Sequence, residues 1–318
     1  MENFESYVSD QFVLRDKWIN IKAGAELASG KMQNNGVFLC RGDVFIEPLA
    51  TPDKDSLDKK TGYINSLNKS FSSKIYLALI PGKEGLYSDL LPTGINNANQ
   101  SEVIKQIYDA AETNNIDMQT ILRKRSSEYI FYRTDHHWTT LGAYYGSCAI
   151  LNKMDLPYPE LSSFSETRKV ISESFYGTTY SKAGFSNVSP DVFELFVPAL
   201  DVKVLNYGKG KAEAGNMYDL SFADKKDKYS VFFGGNTPLL EIQTNVLDKE
   251  SLLIIRDSFA DSLTPFLMQS FSKISVIDLR YYNSSLKEYI EKINFDKILI
   301  CYSLAAFIND TNLYKLSS

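Results

Sequence analysis

Three apolar strands and two helices are predicted to alternate across residues 251–303, which read SLLIIRDSFADSLTPFLMQSFSKISVIDLRYYNSSLKEYIEKINFDKILICYS. The predicted strands lie in 251–258, 273–280 and 296–303, and the predicted helices lie in 263–271 and 284–293. This alternation predicts an α/β fold with a mainly parallel sheet that is covered by helices on both faces. Functional residues of such sheets lie in loops at the carboxyl ends of the strands, where RDS, DLRYY and CYS fall in this chain.

The chain upstream of this region contains further elements of the same kind. Residues 37–48 (VFLCRGDVFIEP) are predicted to form a β-hairpin around a tight Arg-Gly-Asp turn. A strand is predicted at 74–82, and helices are predicted at 54–72, 100–114 and 139–151, the last with a threonine at its cap.

Residues 158–228 interrupt this regular pattern. They are rich in serine, glycine, tyrosine and asparagine, and they contain only short alternating pieces such as VFELFV. We interpret this stretch as a mostly β or irregular insertion within a single α/β domain that spans residues 1–318.

The composition excludes several classes of function. The 318 residues carry a net charge of -5 with a pI near 5.3, so no overall positive field favours nucleic acid or an anionic membrane. The longest apolar run, at 298–308, is too short to span a bilayer. Cys40, Cys148 and Cys301 are far apart, which favours three buried thiols over a zinc site or a disulfide framework.

Both histidines of the chain lie side by side in TDHHWTTLGA (134–143). Neighbouring side chains of an extended or loop segment point in opposite directions, so Asp135 and His137 are expected to face one side and His136 another. A carboxylate at this spacing can hold an imidazole in one tautomer and stabilise its protonated form. His137 is therefore a candidate general base, and Asp135 is the candidate carboxylate that orients it. His136 is expected to pack against other side chains or to form a structural hydrogen bond. The alternative is a loop whose aspartate caps the helix at 139 and whose rings pack together.

Ser258 is the candidate nucleophile. It follows an apolar strand at a sharp turn into a helix, where a hydroxyl is exposed and backbone N–H groups can stabilise an oxyanion. The alternative is a helix cap, since Ser258 and Asp261 have the spacing of a capping box. Proline is comfortable only in the first helical turn, so Pro265 points to a helix that begins near Asp261 or Ser262 and leaves Ser258 in the loop. On this segment alone, the helix cap is still the favoured interpretation.

The tripeptide DHH also occurs in a family of manganese phosphoesterases, which makes a metal site the remoter alternative. Such sites draw on further Asp and His ligands along the chain, and this chain has no other histidine. It also has no DxD pair near an early strand. We therefore expect neither a metal nor an organic cofactor, and we place a metal-dependent phosphoesterase behind a serine mechanism.

Taken together, these motifs resemble the DHHW protein family of Gram-positive bacteria. The resemblance covers nearly the whole chain and is carried by TDHHWTTLGA, LLIIRDSFA, FFGGN (232–236) and DLRYY (278–282). That family is similar to the alginate O-acetyltransferase group, which implies an SGNH-hydrolase-like α/β fold. FESYVSDQFVLRD (4–16) looks like the opening of that group, which normally follows a membrane anchor or signal. The resemblance thus implies an extracellular or cell-surface protein, whereas MENFESYVSD lacks the parts of a signal peptide and leaves a cytoplasmic location open.

The resemblance also implies acyl transfer at a serine, with an acetyl-serine intermediate and then transfer to a sugar hydroxyl or to water. It assigns Ser258 as the nucleophile, His137 as the general acid and base, and Asp135 as the orienting carboxylate. The expected enzyme is an O-acetyltransferase or acetylesterase that acts on a cell-envelope or secreted polysaccharide. For a transferase, the resemblance implies a membrane-bound O-acyltransferase partner that supplies the acetyl group.

Four further residues are candidates for oxyanion or substrate contacts: Asn236, Arg280, Tyr302 and Arg256. The Ser258 backbone N–H is the first candidate oxyanion donor, and the Asn236 amide is the next. Arg280 and Tyr302 lie at strand ends, where they can orient an acetyl donor or a glycan; the alternatives are a surface salt bridge and a core tyrosine. Arg256 stands where SGNH hydrolases have the glycine of Gly-Asp-Ser. That departure keeps open a non-catalytic glycan-binding or scaffold protein of the same fold.

Overall fold

The computed structural model describes most of the chain, namely Ala25, Gly30 and residues 32–185, 187–208 and 210–317. The stretch 4–16, which resembles the opening of the alginate group, lies outside the described residues.

Strands and helices alternate through the described ranges. The strands are β1 (Gln33–Asn34), β2 (Val37–Cys40), β3 (Val44–Ile46), β4 (Lys74–Ile80), β5 (Asn114–Ile116), β6 (Arg168–Phe175), β7 (Asp191–Phe196), β8 (Val202–Asn206), β9 (Glu213–Gly215), β10 (Leu239–Thr244), β11 (Ser251–Arg256), β12 (Lys273–Ile277) and β13 (Lys297–Ser303). The α-helices are α1 (Lys54–Ser70), α2 (Lys83–Leu86), α3 (Gln100–Ala110), α4 (Met118–Lys124), α5 (Thr140–Lys153), α6 (Thr178–Ala183), α7 (Phe259–Leu267), α8 (Leu286–Ile293) and α9 (Leu304–Asn309).

An eight-stranded mixed sheet forms the centre of the fold, in the order β5-β4-β13-β11-β12-β10-β8-β9. The neighbouring strands β5, β4, β13, β11 and β12 run parallel, and β10, β8 and β9 continue the sheet in antiparallel pairs. The expected α/β class, with a mainly parallel sheet flanked by helices, is therefore confirmed. β11 and β13 are adjacent near its middle, so their carboxyl ends lie side by side at one edge.

Alternate side chains of β11 enter two separate cores. Leu252 and Ile254 pack on the face that α4, α5 and α7 cover, whereas Leu253 and Ile255 pack on the face that α1, α3 and α8 cover. All four side chains are fully buried, as expected for a parallel strand covered on both faces. Burial of one such side chain stabilises the fold by roughly 1.5–3 kcal/mol. β11 is therefore held firmly in the sheet, and so is the start of the turn that follows it.

Residues 158–228 contain strands β6 to β9 and helix α6. β6 and β7 pair with each other in a separate two-stranded sheet, whereas β8 and β9 form one edge of the central sheet. The stretch thus contributes both to a separate layer and to the sheet itself. The single domain over 1–318 and the insertion boundaries stay predictions.

Several local predictions are confirmed. β2 and β3 pair antiparallel on either side of the Arg-Gly-Asp turn. Thr139 caps α5, because its hydroxyl accepts a hydrogen bond from the Gly142 backbone N–H at 3.2 Å. The three cysteines are buried free thiols. In the described ranges, no helix combines the length and the apolar character that a membrane span requires.

Helix α7 begins at Phe259, earlier than the proline suggested. The expected start near Asp261 or Ser262 is wrong, because Pro265 lies inside the helix. Every residue of the helix is buried, and this packing outweighs the roughly 3 kcal/mol that an interior proline costs. Ser258 therefore lies directly before the helix, at its N-cap position.

Candidate active site

Three segments meet at the carboxyl edge of the central sheet. β11 ends at Arg256 and leads to Ser258, β12 leads to Asp278, and β13 ends at Ser303. Parallel pairing of β11 with both β12 and β13 brings these strand ends together. The prediction that RDS, DLRYY and CYS share one edge of the sheet is therefore confirmed.

The Ser258 hydroxyl does not cap the helix that follows it. Its backbone already has helical angles (φ -61°, ψ -19°), and its side chain makes no capping hydrogen bond. A capping side chain usually extends from a β-region backbone, so the capping-box alternative with Asp261 is wrong. The Ser258 Oγ atom instead lies 2.8 Å from Nε2 of His137.

Asp257 joins the Ser258 turn to the end of β13. Its Oδ2 accepts hydrogen bonds from the Ser303 backbone N–H at 3.1 Å and from the Ser303 hydroxyl at 2.6 Å. Its Oδ1 accepts from the Phe259 backbone N–H at 3.2 Å. Burial raises the pKa of Asp257, and the Ser303 hydrogen bonds oppose that rise. This carboxyl group clamps β11 to β13 and so fixes the turn that carries Ser258.

Asp135 and His137 face one side, as their spacing predicted. The Asp135 Oδ1 atom lies 2.6 Å from Nδ1 of His137 and also accepts the His137 backbone N–H at 2.9 Å. The Asp135 Oδ2 atom accepts from the Thr178 N–H and hydroxyl at 2.7 and 2.9 Å. Burial alone would raise the pKa of Asp135, but the two neighbouring imidazoles and these hydrogen bonds hold it well below its usual range. A charged Asp135 thus fixes the proton on Nδ1 and leaves Nε2 as the acceptor that faces Ser258.

His136 does not point away from His137 as expected. The two ring centroids lie 3.8 Å apart, because residues 133–137 form a bend rather than an extended segment. The His136 ring is half exposed, and its Nδ1 lies 2.7 Å from the Thr178 hydroxyl. The predicted structural hydrogen bond of His136 is therefore confirmed, while its predicted direction is wrong.

Tyr229 supports the His137 ring from a distant part of the chain. The two rings stack in parallel, with centroids 3.7 Å apart and an interplanar angle of 8°. The Tyr229 hydroxyl donates to Ser262 Oγ at 2.7 Å, and Trp138 Nε1 donates to the same oxygen at 2.8 Å. Sequence reasoning missed this contact, since Tyr229 belongs to no motif and lies more than ninety residues from His137.

Asp135, His136 and His137 bring three possible metal-ligating atoms within 4.8 Å of one another. Those atoms are already engaged: Asp135 pairs with His137, His137 reaches Ser258, and His136 pairs with Thr178. A cation at this place would have to break these hydrogen bonds. The geometry therefore favours proton transfer over metal binding at these residues.

The remaining predicted residues lie beside the same edge. Arg256 is fully buried, and its guanidinium contacts Asp278 and the exposed Asn236 at 3.3 Å each. Arg280 is partly exposed and donates two hydrogen bonds to Asp278, at 2.9 and 2.6 Å. Tyr302 is almost fully buried, and its hydroxyl finds no partner within the described part of the chain.

Lys83 is a buried cation beside the loop that carries Asp135, and no motif pointed to it. Its Nζ donates to the backbone carbonyls of Tyr132 at 2.9 Å and Arg133 at 3.1 Å. Burial lowers the pKa of Lys83 to about 8, and the Asp135 and Asp191 carboxylates oppose that shift. A lysine directly after a buried strand and a Pro-Gly pair was the only signal in the sequence.

We expect Lys83 to make stability depend on pH in the alkaline range. Its pKa is about 8 in the folded protein against a reference value of 10.5, so between these values the unfolded chain binds more protons. The free energy of unfolding should therefore rise with pH through that window, relative to Lys83→Met, by up to about 3 kcal/mol. Denaturant unfolding of both proteins at several pH values checks this. A difference between the two proteins that stays constant across the window would contradict it.

The chain resembles solved structures over most of its length. A DHHW family protein from Eubacterium siraeum aligns with a TM-score of 0.79 at 25% identity, over 89% of this chain and 95% of that one. Bacillus cereus PatB1 with a sulfonyl adduct aligns with a TM-score of 0.74 at 20% identity, over 89% and 98% of the two chains. The O-acetyltransferase domain of Pseudomonas putida AlgJ aligns with a TM-score of 0.53 at 13% identity, over 89% and 98%. The last two likenesses establish the shared fold, which is the SGNH-like α/β fold expected from the sequence.

None of the curated proteins compared with the chain matches it. The family model described as DHHW protein matches residues 54–277, which is well over half of the chain. The matched range includes Asp135, His137 and Ser258, whose side chains meet at the edge of the sheet. The resemblance stated from the sequence is confirmed, and the chain belongs to the DHHW protein family.

Proposed function

We propose that the protein is a serine-dependent O-acetyltransferase or acetylesterase. One observation carries the proposal: hydrogen bonds link Ser258 Oγ, both nitrogens of His137 and the Asp135 carboxylate in one continuous series, at 2.8 and 2.6 Å. A serine hydroxyl is a weak nucleophile until a base accepts its proton, and a carboxylate on the far ring nitrogen stabilises the imidazolium that results. This arrangement suits acyl transfer through a covalent intermediate.

The proposed reaction has two balanced halves. Ser258 Oγ attacks the carbonyl carbon of an acetyl ester while its proton passes to His137 Nε2. The tetrahedral intermediate then expels the alcohol, which takes that proton, and acetyl-Ser258 remains. In the second half, His137 accepts the proton of a sugar hydroxyl or of water as its oxygen attacks the acetyl carbon. Ser258 leaves with the proton, and the product is an acetylated sugar or acetate.

The developing negative oxygen needs hydrogen-bond donors. The Ser258 backbone N–H donates to no acceptor among the described residues, which suits it for this role. We assign the exposed Asn236 amide as the second donor. Arg280 is exposed enough to orient an acetyl donor or a glycan, whereas Tyr302 and Arg256 are buried and would act through their neighbours.

The substrate class rests on likeness to other proteins. AlgJ contains an O-acetyltransferase domain with this fold, and PatB1 was solved with a sulfonyl adduct, an electrophilic group of the kind that activated hydroxyls attack. By this analogy we propose that the acceptor is a cell-envelope or secreted polysaccharide, that the protein works outside the cell or at its surface, and that a membrane-bound O-acyltransferase supplies the acetyl group.

Trapping of the intermediate tests the proposal. Mixing the protein with p-nitrophenyl acetate and quenching within one turnover should give a burst of nitrophenol and an acetyl group on the peptide that contains Ser258. The His137→Ala variant, mixed in the same way, should show neither signal, because the hydroxyl then lacks its base. An acetyl group on any other residue, or turnover without a covalent species, would overturn the mechanism. Addition of candidate polysaccharides then separates the two activities, since a transferase diverts acetyl from water to the glycan.

Gly177 provides a second test, because it leaves no room for a side chain beside Asp135. A Cβ atom at Gly177 would lie 2.2 Å from the Asp135 Cβ and 2.3 Å from its Oδ2. Gly177→Ala must therefore displace the carboxylate that orients His137, and we expect activity on p-nitrophenyl acetate to fall by about 10²-fold. Steady-state kinetics and a thermal melt measure the effect.

Gly62→Ala is the matched control for this substitution. A Cβ atom at Gly62, within α1, meets no atom within 4 Å, and alanine favours a helix over glycine. This control should keep full activity and melt at the same or a higher temperature. Equal activity in Gly177→Ala and Gly62→Ala would show that the position of Asp135 does not limit the reaction.

A further inference from the structure

Arg256 replaces the glycine that precedes Asp-Ser in SGNH hydrolases, and its side chain lies on the same face of the sheet as the candidate nucleophile's helix. Leu252 and Ile254, which share its side of β11, pack into the core that contains α7 and Tyr229. The guanidinium has no exposed surface. A charge at this depth requires partners, because burial of an unpaired ion costs several kcal/mol.

Two carboxyl groups supply those partners, and a second arginine shares one of them. Arg256 Nη2 lies 2.8 Å from Asp261 Oδ1 in an ion pair, and its Nη1 lies 3.3 Å from Asp278 Oδ2. The ion pair with Asp261 lacks the alignment of a hydrogen bond. Arg280 holds Asp278 from the other side through hydrogen bonds to both carboxylate oxygens. The cluster joins two guanidiniums to two carboxyl groups, and burial raises the pKa of one of these, Asp261, to about 7. These contacts fix the two guanidiniums relative to each other.

Both guanidiniums also contact one atom of Asn236. Its Oδ1 accepts hydrogen bonds from Arg256 Nη1 at 3.3 Å and from Arg280 Nη2 at 3.5 Å. A guanidinium has donors and no acceptor, so the amide atom that faces it must be the oxygen. The Nδ2 group is therefore turned the other way, and no acceptor meets it within the residues that the structure describes.

The loop before Asn236 is shaped to present this side chain. Phe233, Gly234 and Gly235 all have positive φ angles, of 57°, 79° and 92°. Such a backbone is strained at a residue other than glycine, so Phe233 keeps it only under the constraint of its surroundings. The Phe233 side chain is buried in the same core as α7, which anchors the loop.

We propose that Arg256 and Arg280 are positioning residues that hold the Asn236 oxygen and so direct its N–H donors at the developing oxyanion. The proposal rests on the proposed acyl transfer at Ser258. This proposal gives a role to Arg256, which stands in place of the motif glycine. Arg256 does not contact the substrate itself; it determines whether the oxygen or the NH₂ group of the Asn236 amide faces the substrate. Without the two guanidiniums, the Asn236 amide is free to turn over and present an oxygen, which repels the oxyanion.

Variants of Asn236 test the donor itself. Asn236→Ala should lower kcat on p-nitrophenyl acetate by about 10²–10³-fold with little change in KM, as loss of one oxyanion donor does. Asn236→Asp keeps an oxygen for both guanidiniums and removes the N–H donors, so it should fold and lose as much kcat as the alanine variant. Wild-type kcat in either Asn236 variant would overturn the proposal.

A double-mutant cycle tests the positioning role. Arg256→Lys keeps the charge but not the two-sided contact, and kcat should fall about tenfold with KM nearly unchanged. In an Asn236→Ala background the same change should have less than about twofold effect, because the group it positions is gone. Equal effects in both backgrounds would mean that Arg256 is merely structural. Arg280→Lys, at a partly exposed position, serves in the same cycle if Arg256→Lys fails to fold.

A control variant and the assay for acetyl-Ser258 keep this proposal distinct from the proposed function. Arg168→Lys alters another guanidinium–carboxylate pair, with Glu194, and should leave kcat unchanged. If the wild type forms no acetyl-Ser258, the acyl-transfer mechanism itself fails. If it does, and the cycle is additive, only the positioning role fails.

Discussion

Ser258→Ala is expected to lower kcat for p-nitrophenyl acetate by about 10⁴-fold or more, which leaves only the background rate. The substitution removes the Oγ atom that forms the covalent bond and leaves His137 Nε2 without its partner at 2.8 Å. The hydroxyl makes no capping bond to α7, so its loss should alter the melting temperature little. Steady-state kinetics and a thermal melt of the same preparation measure both effects.

The two adjacent histidines give this prediction a matched pair of controls. His137→Ala should be about as inactive as Ser258→Ala, because residues that act as one unit are not additive. His136→Ala should keep most of the activity, although the two rings lie 3.8 Å apart, because His136 bonds to Thr178 and not to Ser258. If Ser258→Ala stays active, a serine acyl mechanism at this site is excluded. If His136→Ala is as inactive as His137→Ala, the purely structural role of His136 is wrong.

The features that the sequence predicted are those that depend on local spacing. Apolar strands between helices fix a parallel sheet, and the parallel arrangement alone places the residues after β11 and β13 at one edge. Asp135 and His137 contact each other as their two-residue spacing predicted, although the bend at 133–137 brings the His136 ring beside that of His137 and not to the opposite side. Ser258 followed from the same logic, since it stands at a strand-to-helix turn. None of these inferences needs a contact between distant parts of the chain other than strand pairing.

The features that the sequence did not predict depend on packing between distant segments. Tyr229 stacks on His137 from a short 3₁₀ helix (Lys228–Val231), and Lys83 reaches the Asp135 loop from the end of another strand. The contact of Arg256 with Asn236 crosses from β11 to the loop before β10. The early start of α7 has the same origin, since the burial of its side chains offsets the cost of Pro265. Propensity and motif spacing carry no information on such contacts.

Asp135→Asn is expected to lower kcat by about 10⁴-fold while KM changes little. An amide has one acceptor oxygen, whereas the Asp135 carboxylate accepts bonds from the His137 ring, the His137 N–H and both donors of Thr178. If the amide NH₂ faces Nδ1, His137 must carry its proton on Nε2, where it can no longer accept the Ser258 proton. The imidazolium that forms during attack also loses its counter-charge in a buried site.

Thr178→Val is the control that separates orientation from charge. It removes the Thr178 hydroxyl from Asp135 Oδ2 and from His136 Nδ1, but it leaves the backbone N–H, the carboxylate charge and the contact with His137 in place. We expect a loss of no more than about tenfold in kcat, consistent with one hydrogen bond to a charged group. Comparable losses in both variants would mean that the position of Asp135, and not its charge, limits the reaction. Near-wild-type activity in Asp135→Asn would reduce the mechanism to a Ser258–His137 pair and leave Asp135 a structural role in the bend.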